Sequence, residues 1–281
     1  DEGFAERLAT YMPDFELYLQ FDSFKPEVLM ELRGQDLTDI RKKALEKLNE
    51  LNLSTTLVVT VQKGLNDDET GEIIDFALKQ KCVRGVTFQP VQIAGRFSHD
   101  PDKSRMTLTE VRDAILTQTN LFKPNDIVPV PCNPDALAMG YALKLNNEVF
   151  PLTRYIDPAH LLDNSKNTIV YEQDTELHSH LLKIFSTGIS VDKVSEDMHQ
   201  LLCCLPQIYA PGLGYDNLFR IIIMRFIDAY DFDVRAIKKS CVHIVSKDHK
   251  IIPFETMNLF YRDEKEMRLK ELKEKYKGQF M

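Results

Sequence analysis

The run TTLVVTV at residues 55–61 constrains this chain more than any other segment. It is a continuous, mostly β-branched stretch with no polar alternation. Strands of that kind are covered on both faces, and they belong to parallel sheets flanked by helices. Segments of the same type recur along the first half of the chain. FELYLQF at 15–21, residues 84–90 and DIVPV at 126–130 all read as strands. Helical patterns fall between them. KPEVLMELRG opens with Pro26, which the first turn of a helix tolerates, and Gly34 suits its end. The next helix runs from about Leu37 to Leu51 and repeats apolar residues at Leu37, Ile40, Ala44, Leu45, Leu48 and Leu51, a period near 3.6. Ile73, Ile74, Ala77 and Leu78 mark another helix, with Asn66 or Asp67 as its expected N-cap. Thr107 and Glu110 form a capping-box signature before a further one. NPDALAMGYAL, at 133–143, reads as the helix after the last strand.

The alternation βαβαβαβα predicts an α/β fold with a parallel sheet, open or closed into a barrel. Four strands are few for a closed barrel, so further elements are expected on the N-terminal side. The chain begins with Asp, as a segment of a longer product would. Beyond residue 150 the character changes. Helical patterns are expected at about 175–187, 191–205 and 215–229, then two short strands around KDHK, then a charged surface helix. Its 281 residues accordingly divide into 1–150, a barrel portion, and 151–281, a C-terminal α+β module.

The net charge of −8 argues against nucleic acid as a partner, since phosphate binding needs a basic surface. The nearest candidate for a span, IIIMRF at 221–226, is too short to cross a bilayer, and a signal peptide is not expected. Five cysteines, at 82, 132, 203, 204 and 241, suggest no disulfide framework. Reduced thiols and a cytoplasmic location are expected.

FELYLQFDSF, VVTVQKGLNDDETGEIIDFAL, GVTFQPVQIAGR and DIVPVPCNPDALAMGYAL, in that order and spacing, resemble the later strands of radical SAM enzymes. More narrowly, they resemble the branch that includes tetraether lipid synthases and pterin-dependent methylases. Residues 215–262 resemble that branch's C-terminal module. The resemblance implies a partial (β/α)6 barrel, with S-adenosylmethionine (SAM) lying across the C-terminal edges of its strands. It also implies a [4Fe–4S] cluster held by a C-x3-C-x2-C loop. That cluster cleaves SAM to a 5′-deoxyadenosyl radical, which abstracts a substrate hydrogen and leads to methyl transfer or carbon–carbon bond formation. The substrate would be a small or lipid-like molecule, and the reductant a protein such as a ferredoxin or flavodoxin. The cysteines here have no C-x3-C or C-x2-C spacing, so the cluster ligands are expected upstream, and this segment alone is expected to be inactive.

The resemblance makes Gln20, Asp22, Thr60, Gln89, Gly95 and Arg96 contacts to SAM or substrate. Strand ends are where barrel side chains reach an active-site mouth. Pro90 is expected to stop the ladder and turn the chain outward, and Arg96 can hold a carboxylate with a two-pronged hydrogen bond. The structural alternatives stay open. They are Asp22 as a cap of the next helix, Gln20 as a barrel filler, Thr60 as an ordinary strand residue, and Arg96 as one half of a surface ion pair. Cys132 and Cys241 are candidate ligands of an accessory cluster; otherwise they are small buried residues. Cys82 reads as structural. Two other functions compete: a degenerate, non-catalytic barrel that binds a small molecule or a protein, and an unrelated (β/α) barrel, such as an aldolase or a phosphate-binding lyase, for whose strand-end lysine or Gly-rich phosphate loop Lys63-Gly64 is the weak candidate.

Overall fold

The computed structural model describes residues 3–12, 15–94, 100–130, 133–145, 148–154, 217–240 and 242–262. After a short helix α1 (Phe4–Ala9), strand β1 (Leu17–Gln20) leads to helices α2 (Pro26–Arg33) and α3 (Thr38–Glu50). Then follow β2 (Thr55–Val61), α4 (Thr70–Lys79), β3 (Val83–Pro90), a single turn α5 (Pro101–Ser104) and α6 (Leu108–Gln118). Pro26 occupies the first turn of α2, and Gly34 ends that helix at φ 76°, a left-handed conformation that glycine adopts at little cost. Thr107 and Glu110 close the expected capping box on α6.

β4 (Ile127–Pro129), β5 (Leu137–Leu145), β6 (Glu148–Pro151) and β7 (Leu218–Met224) complete one seven-stranded sheet in the order β1-β2-β3-β7-β5-β4, with β6 also paired to β5. The β1–β2, β2–β3 and β3–β7 pairs are parallel, whereas β5 runs against β7, β4 and β6. The result is an α/β fold with a mostly parallel sheet.

Three sequence expectations fail here. NPDALAMGYAL is not a helix: residues 137–145 form strand β5, in full register with β7 from Leu137↔Met224 to Leu143↔Leu218. Ala138 and Ala142 face the core at period two, and pairing on both edges overrides the helical preference of alanine. The pattern at 215–229 is not helical either. LFRIIIM, at 218–224, is buried almost throughout, and a seven-residue run that is apolar apart from Arg220 suits a covered strand better than a helix. Third, the 126–130 strand is not a parallel strand of the alternation: β4 pairs antiparallel with β5, and β7 takes the place beside β3. The helices expected at 175–187 and 191–205 lie outside the described residues. The expected hairpin is present as β8 (His243–Val245) and β9 (Ile251–Pro253); helix α7 (Val234–Ile237) precedes it and α8 (Phe254–Phe260) follows it.

Residues alternate faces along each strand, and the two faces of the parallel part differ in kind. Leu57, Val59 and Val61 of β2, Val86 and Phe88 of β3, and Phe219, Ile221 and Ile223 of β7 share one core with Leu45 and Leu48 of α3, Ile73, Ile74 and Ala77 of α4, and Val111 and Ile115 of α6. The opposite face carries Gln20, Thr56, Val58, Thr60, Thr87, Gln89 and Arg220. Near the N-terminal ends of its strands, Arg220 donates to Glu16 and to Thr56 Oγ1 (3.2 Å).

Candidate functional site

The site builds outward from the C-terminal ends of β1, β2 and β3. Thr60 is in register with Gln89 and Gln20 with Val58, so all three polar residues lie on one face at the rim. The Gln20 amide nitrogen donates to Asp22 Oδ1 (2.7 Å) and Val58 O (3.3 Å), with a longer contact to Thr60 Oγ1 (3.4 Å). Its carbonyl oxygen has no hydrogen-bond partner among the described residues, and neither has the side-chain amide of Gln89. Beneath Gln89, the Thr87 hydroxyl is buried with no partner among them. The ladder runs one bond further than expected: Pro90 pairs with Val61, and Val91 N–H donates to Val61 O (2.9 Å) before the chain departs.

Asp22 is fully buried and holds φ at 62°, a left-handed conformation that Asp tolerates better than most residues. Its carboxylate accepts from Arg33 Nε and Nη2 (2.8 Å each), Arg41 Nη2 (2.9 Å), the Thr60 N–H (3.0 Å) and Gln20. Arg33 Nη2 also donates to Thr60 Oγ1 (2.8 Å). Burial opposes ionisation of Asp22, but the hydrogen bonds from Arg33, Thr60 and Gln20 outweigh it and hold the carboxyl below the usual carboxylate range. The two arginines diverge. The hydrogen bond to Asp22 raises Arg33, whereas burial pushes Arg41 down. Arg41 Nε and Nη1 are buried without partners among the described residues.

Asn66 does not cap α4, whose N-cap is Glu69. It is buried instead, donating to Asp22 O (2.9 Å) and Thr60 O (2.8 Å) while accepting from the Gln62 N–H (2.9 Å). This fastens the exit of β2 to the exit of β1.

The structure therefore joins Gln20, Asp22 and Thr60 directly and sets Gln89 beside them. Gly95, Arg96, Cys132 and Cys241 lie outside the described residues. Ile93 and Arg105, on either side of residues 95–99, both donate to buried Asp228, at 3.4 and 3.0 Å. Cys82 is buried in the core, which raises its thiol pKa. Among the described residues no three His, Cys, Asp or Glu side chains gather as metal ligands, and no helix is long and apolar enough to cross a membrane.

Arg33 and Arg41 escaped the sequence reading. Arg41 left a trace: it precedes Leu45 by four and Leu48 by seven, and these three are the buried stripe of α3, whereas Ile40 is 64% exposed. Beside the rim, a cavity of about 550 Å³ opens at the end of β2, lined by Glu27, Glu31, Gln62, Lys63, Lys103 and Ser104 among others.

A parallel α/β sheet with hydrogen-bonding groups left open along the C-terminal ends of its strands is the arrangement in which α/β enzymes take up ligands. One curated relative is of that enzymatic kind: 7,8-dihydro-6-hydroxymethylpterin dimethyltransferase of Methanocaldococcus jannaschii. The chain is 28% identical to it over 291 aligned positions, which cover 89% of this chain. The match spans 57% of the relative's length. The resemblance to the pterin-dependent radical SAM methylases is borne out by this match. No protein-family profile matches the chain.

Proposed function

We propose that the protein containing this chain is a radical SAM methyltransferase acting on a pterin, with SAM lying along the rim formed by Gln20, Thr60 and Gln89. The observation that carries the reading is this row of half-satisfied side chains at three adjacent strand ends. Gln20 offers a carbonyl acceptor and Gln89 a whole amide, groups that suit the hydroxyls and amino group of a nucleoside amino acid. The relative supports the choice of pterin. Asp22 acts through its neighbours. Its two arginines and the Thr60 N–H fix the strand ends so that Gln20 and Thr60 present their polar atoms in one orientation. Arg96 is assigned to the SAM carboxylate and Gly95 to close backbone approach. The fold is read as part of a barrel completed by further strands, and the location as cytoplasmic.

SAM supplies the reactive adenosyl and methyl groups when bound. The described residues do not fit an iron–sulfur cluster, because no set of thiolates converges among them. Cluster ligands are accordingly placed outside the described residues, and an electron donor of the ferredoxin or flavodoxin class is expected.

Full-length protein, reconstituted anaerobically with iron and sulfide and given a strong reductant, should convert SAM to 5′-deoxyadenosine and methylate 6-hydroxymethyl-7,8-dihydropterin. Arg96→Ala should weaken SAM binding by about 1.5–3 kcal/mol, the range for a hydrogen bond to a charged group. SAM binding without cleavage would leave a binding module, and no SAM binding at all would end the proposal.

A further inference from the structure

We infer that the cavity at the end of β2 recognises the 2-amino-4-oxopyrimidine edge of a planar heterocycle, through the Gln62 amide and the Glu27 carboxylate. The inference rests on the pterin reading and specifies where the ring is held. The volume of about 550 Å³ falls within the ordinary range for small-ligand sites.

Gln62 is the observation that points to a ligand. It is only 4% exposed and it lines the cavity, yet its side-chain amide has no hydrogen-bond partner among the described residues. Only its backbone is engaged, through Asn66 and Leu65. A buried amide left open costs stability unless something else satisfies it. Glu27 projects from the first turn of α2 into the same cavity and has no salt bridge or side-chain hydrogen bond among the described residues.

The charges exclude a phosphate. Lys63 Nζ is held by Glu110 at 2.7 Å, and Lys103 lies 3.6 Å from Asp100, so both lysines of the lining face carboxylates outside it. Of the two carboxylates in the lining, Glu31 already has a partner, which leaves the acceptor-only Glu27 carboxylate in the same cavity as an amide that both donates and accepts. An aminopyrimidinone presents its ring N–H and amino group side by side, two donors for the carboxylate, next to a carbonyl that accepts from the amide. The adenine of SAM presents a donor beside an acceptor. An amide can meet that pair, but an ionised carboxylate would set a lone pair against a lone pair. The cavity is therefore matched to the methyl acceptor and mismatched to the methyl donor.

The test measures dissociation constants in the full-length protein by anaerobic titration, with 6-hydroxymethyl-7,8-dihydropterin, guanosine and SAM as separate probes. Glu27→Gln, at an exposed position, and Gln62→Leu should each weaken the pterin about 10–100-fold while moving SAM by less than about twofold. Guanosine, which carries the same edge, should compete and lose affinity in the same variants. Pterin binding unchanged in Glu27→Gln overturns the inference and leaves the methyltransferase reading standing, as does an equal loss of SAM affinity in both variants. A wild-type protein that binds SAM but neither pterin nor guanosine overturns the substrate reading and the subsite together. Binding of guanosine alone, lost in the variants, supports the subsite and removes the pterin.

Discussion

Replacing Asp22 by alanine removes the acceptor of five hydrogen bonds and leaves Arg41 buried beside a half-exposed Arg33 without the carboxylate both of them face. Breaking a buried pair in this way costs about 3–5 kcal/mol, because the surviving charge stays desolvated. Urea unfolding should report that loss as a lower midpoint at unchanged slope. The same carboxylate couples stability to pH. Its pKa in the folded protein lies below the ordinary value, so its contribution is fully present above the unfolded pKa of about 3.9 and is lost as pH falls through the folded value. In Asp22→Asn that part of the acid dependence should be absent: comparing its unfolding midpoints with those of the wild type between pH 6 and pH 3 should show the gap closing on the acid side. A gap that stays constant with pH would mean that Asp22 carries no linked proton.

Between elements, the tightest constraint is the approach of β3 to β7. A Cβ on Gly85 would stand 2.5 Å from Arg220 O and 2.7 Å from Arg220 Cγ, and the backbone oxygen cannot move without breaking the ladder. Gly85→Ala should therefore cost about 1–3 kcal/mol by thermal or urea unfolding, in line with overpacked interiors, although alanine is the better strand residue on propensity alone. A variant as stable as the wild type would show that the two strands separate at no cost. The same pair of strands marks where the sequence ceases to be legible. TTLVVTV declared itself as a covered strand, and Gln20, Thr60 and Gln89 were readable as strand ends, because local pattern settles both questions. LFRIIIM and LAMGYAL did not, since each is made a strand by a partner about 80 positions away, and short apolar runs carry no period that separates the two forms. Arg33 and Arg41 were hidden for a related reason. Nothing in α2 or α3 announces that both will turn onto one carboxylate from the end of β1.

At the scale of the molecule, β7 is the strand on which the sheet depends. It comes from residues 218–224, yet it sits between β3 and β5, so without it two covered strands would each lose an edge partner. Its side chains Phe219, Ile221 and Ile223 also belong to the core shared with α3, α4 and α6. Burying three such side chains is worth several kcal/mol at about 1.5–3 kcal/mol each, comparable to the whole net stability of a domain. A chain ending after residue 154 would retain every residue of the candidate rim that the structure describes, but not the strand that closes the sheet beside it. Such a fragment should lose cooperative urea unfolding and bind an apolar-surface dye, while the full chain gives a single sharp transition. Adding a peptide that spans residues 215–229 should restore part of the transition by occupying the gap between β3 and β5. If the fragment unfolds cooperatively unaided, the rim is held by β1, β2 and β3 alone, and β7 is an accessory to the fold rather than its keystone. The pairing also bears on kinetics, because contacts so distant in sequence must form before the sheet is complete, which makes folding slow relative to a local α/β alternation.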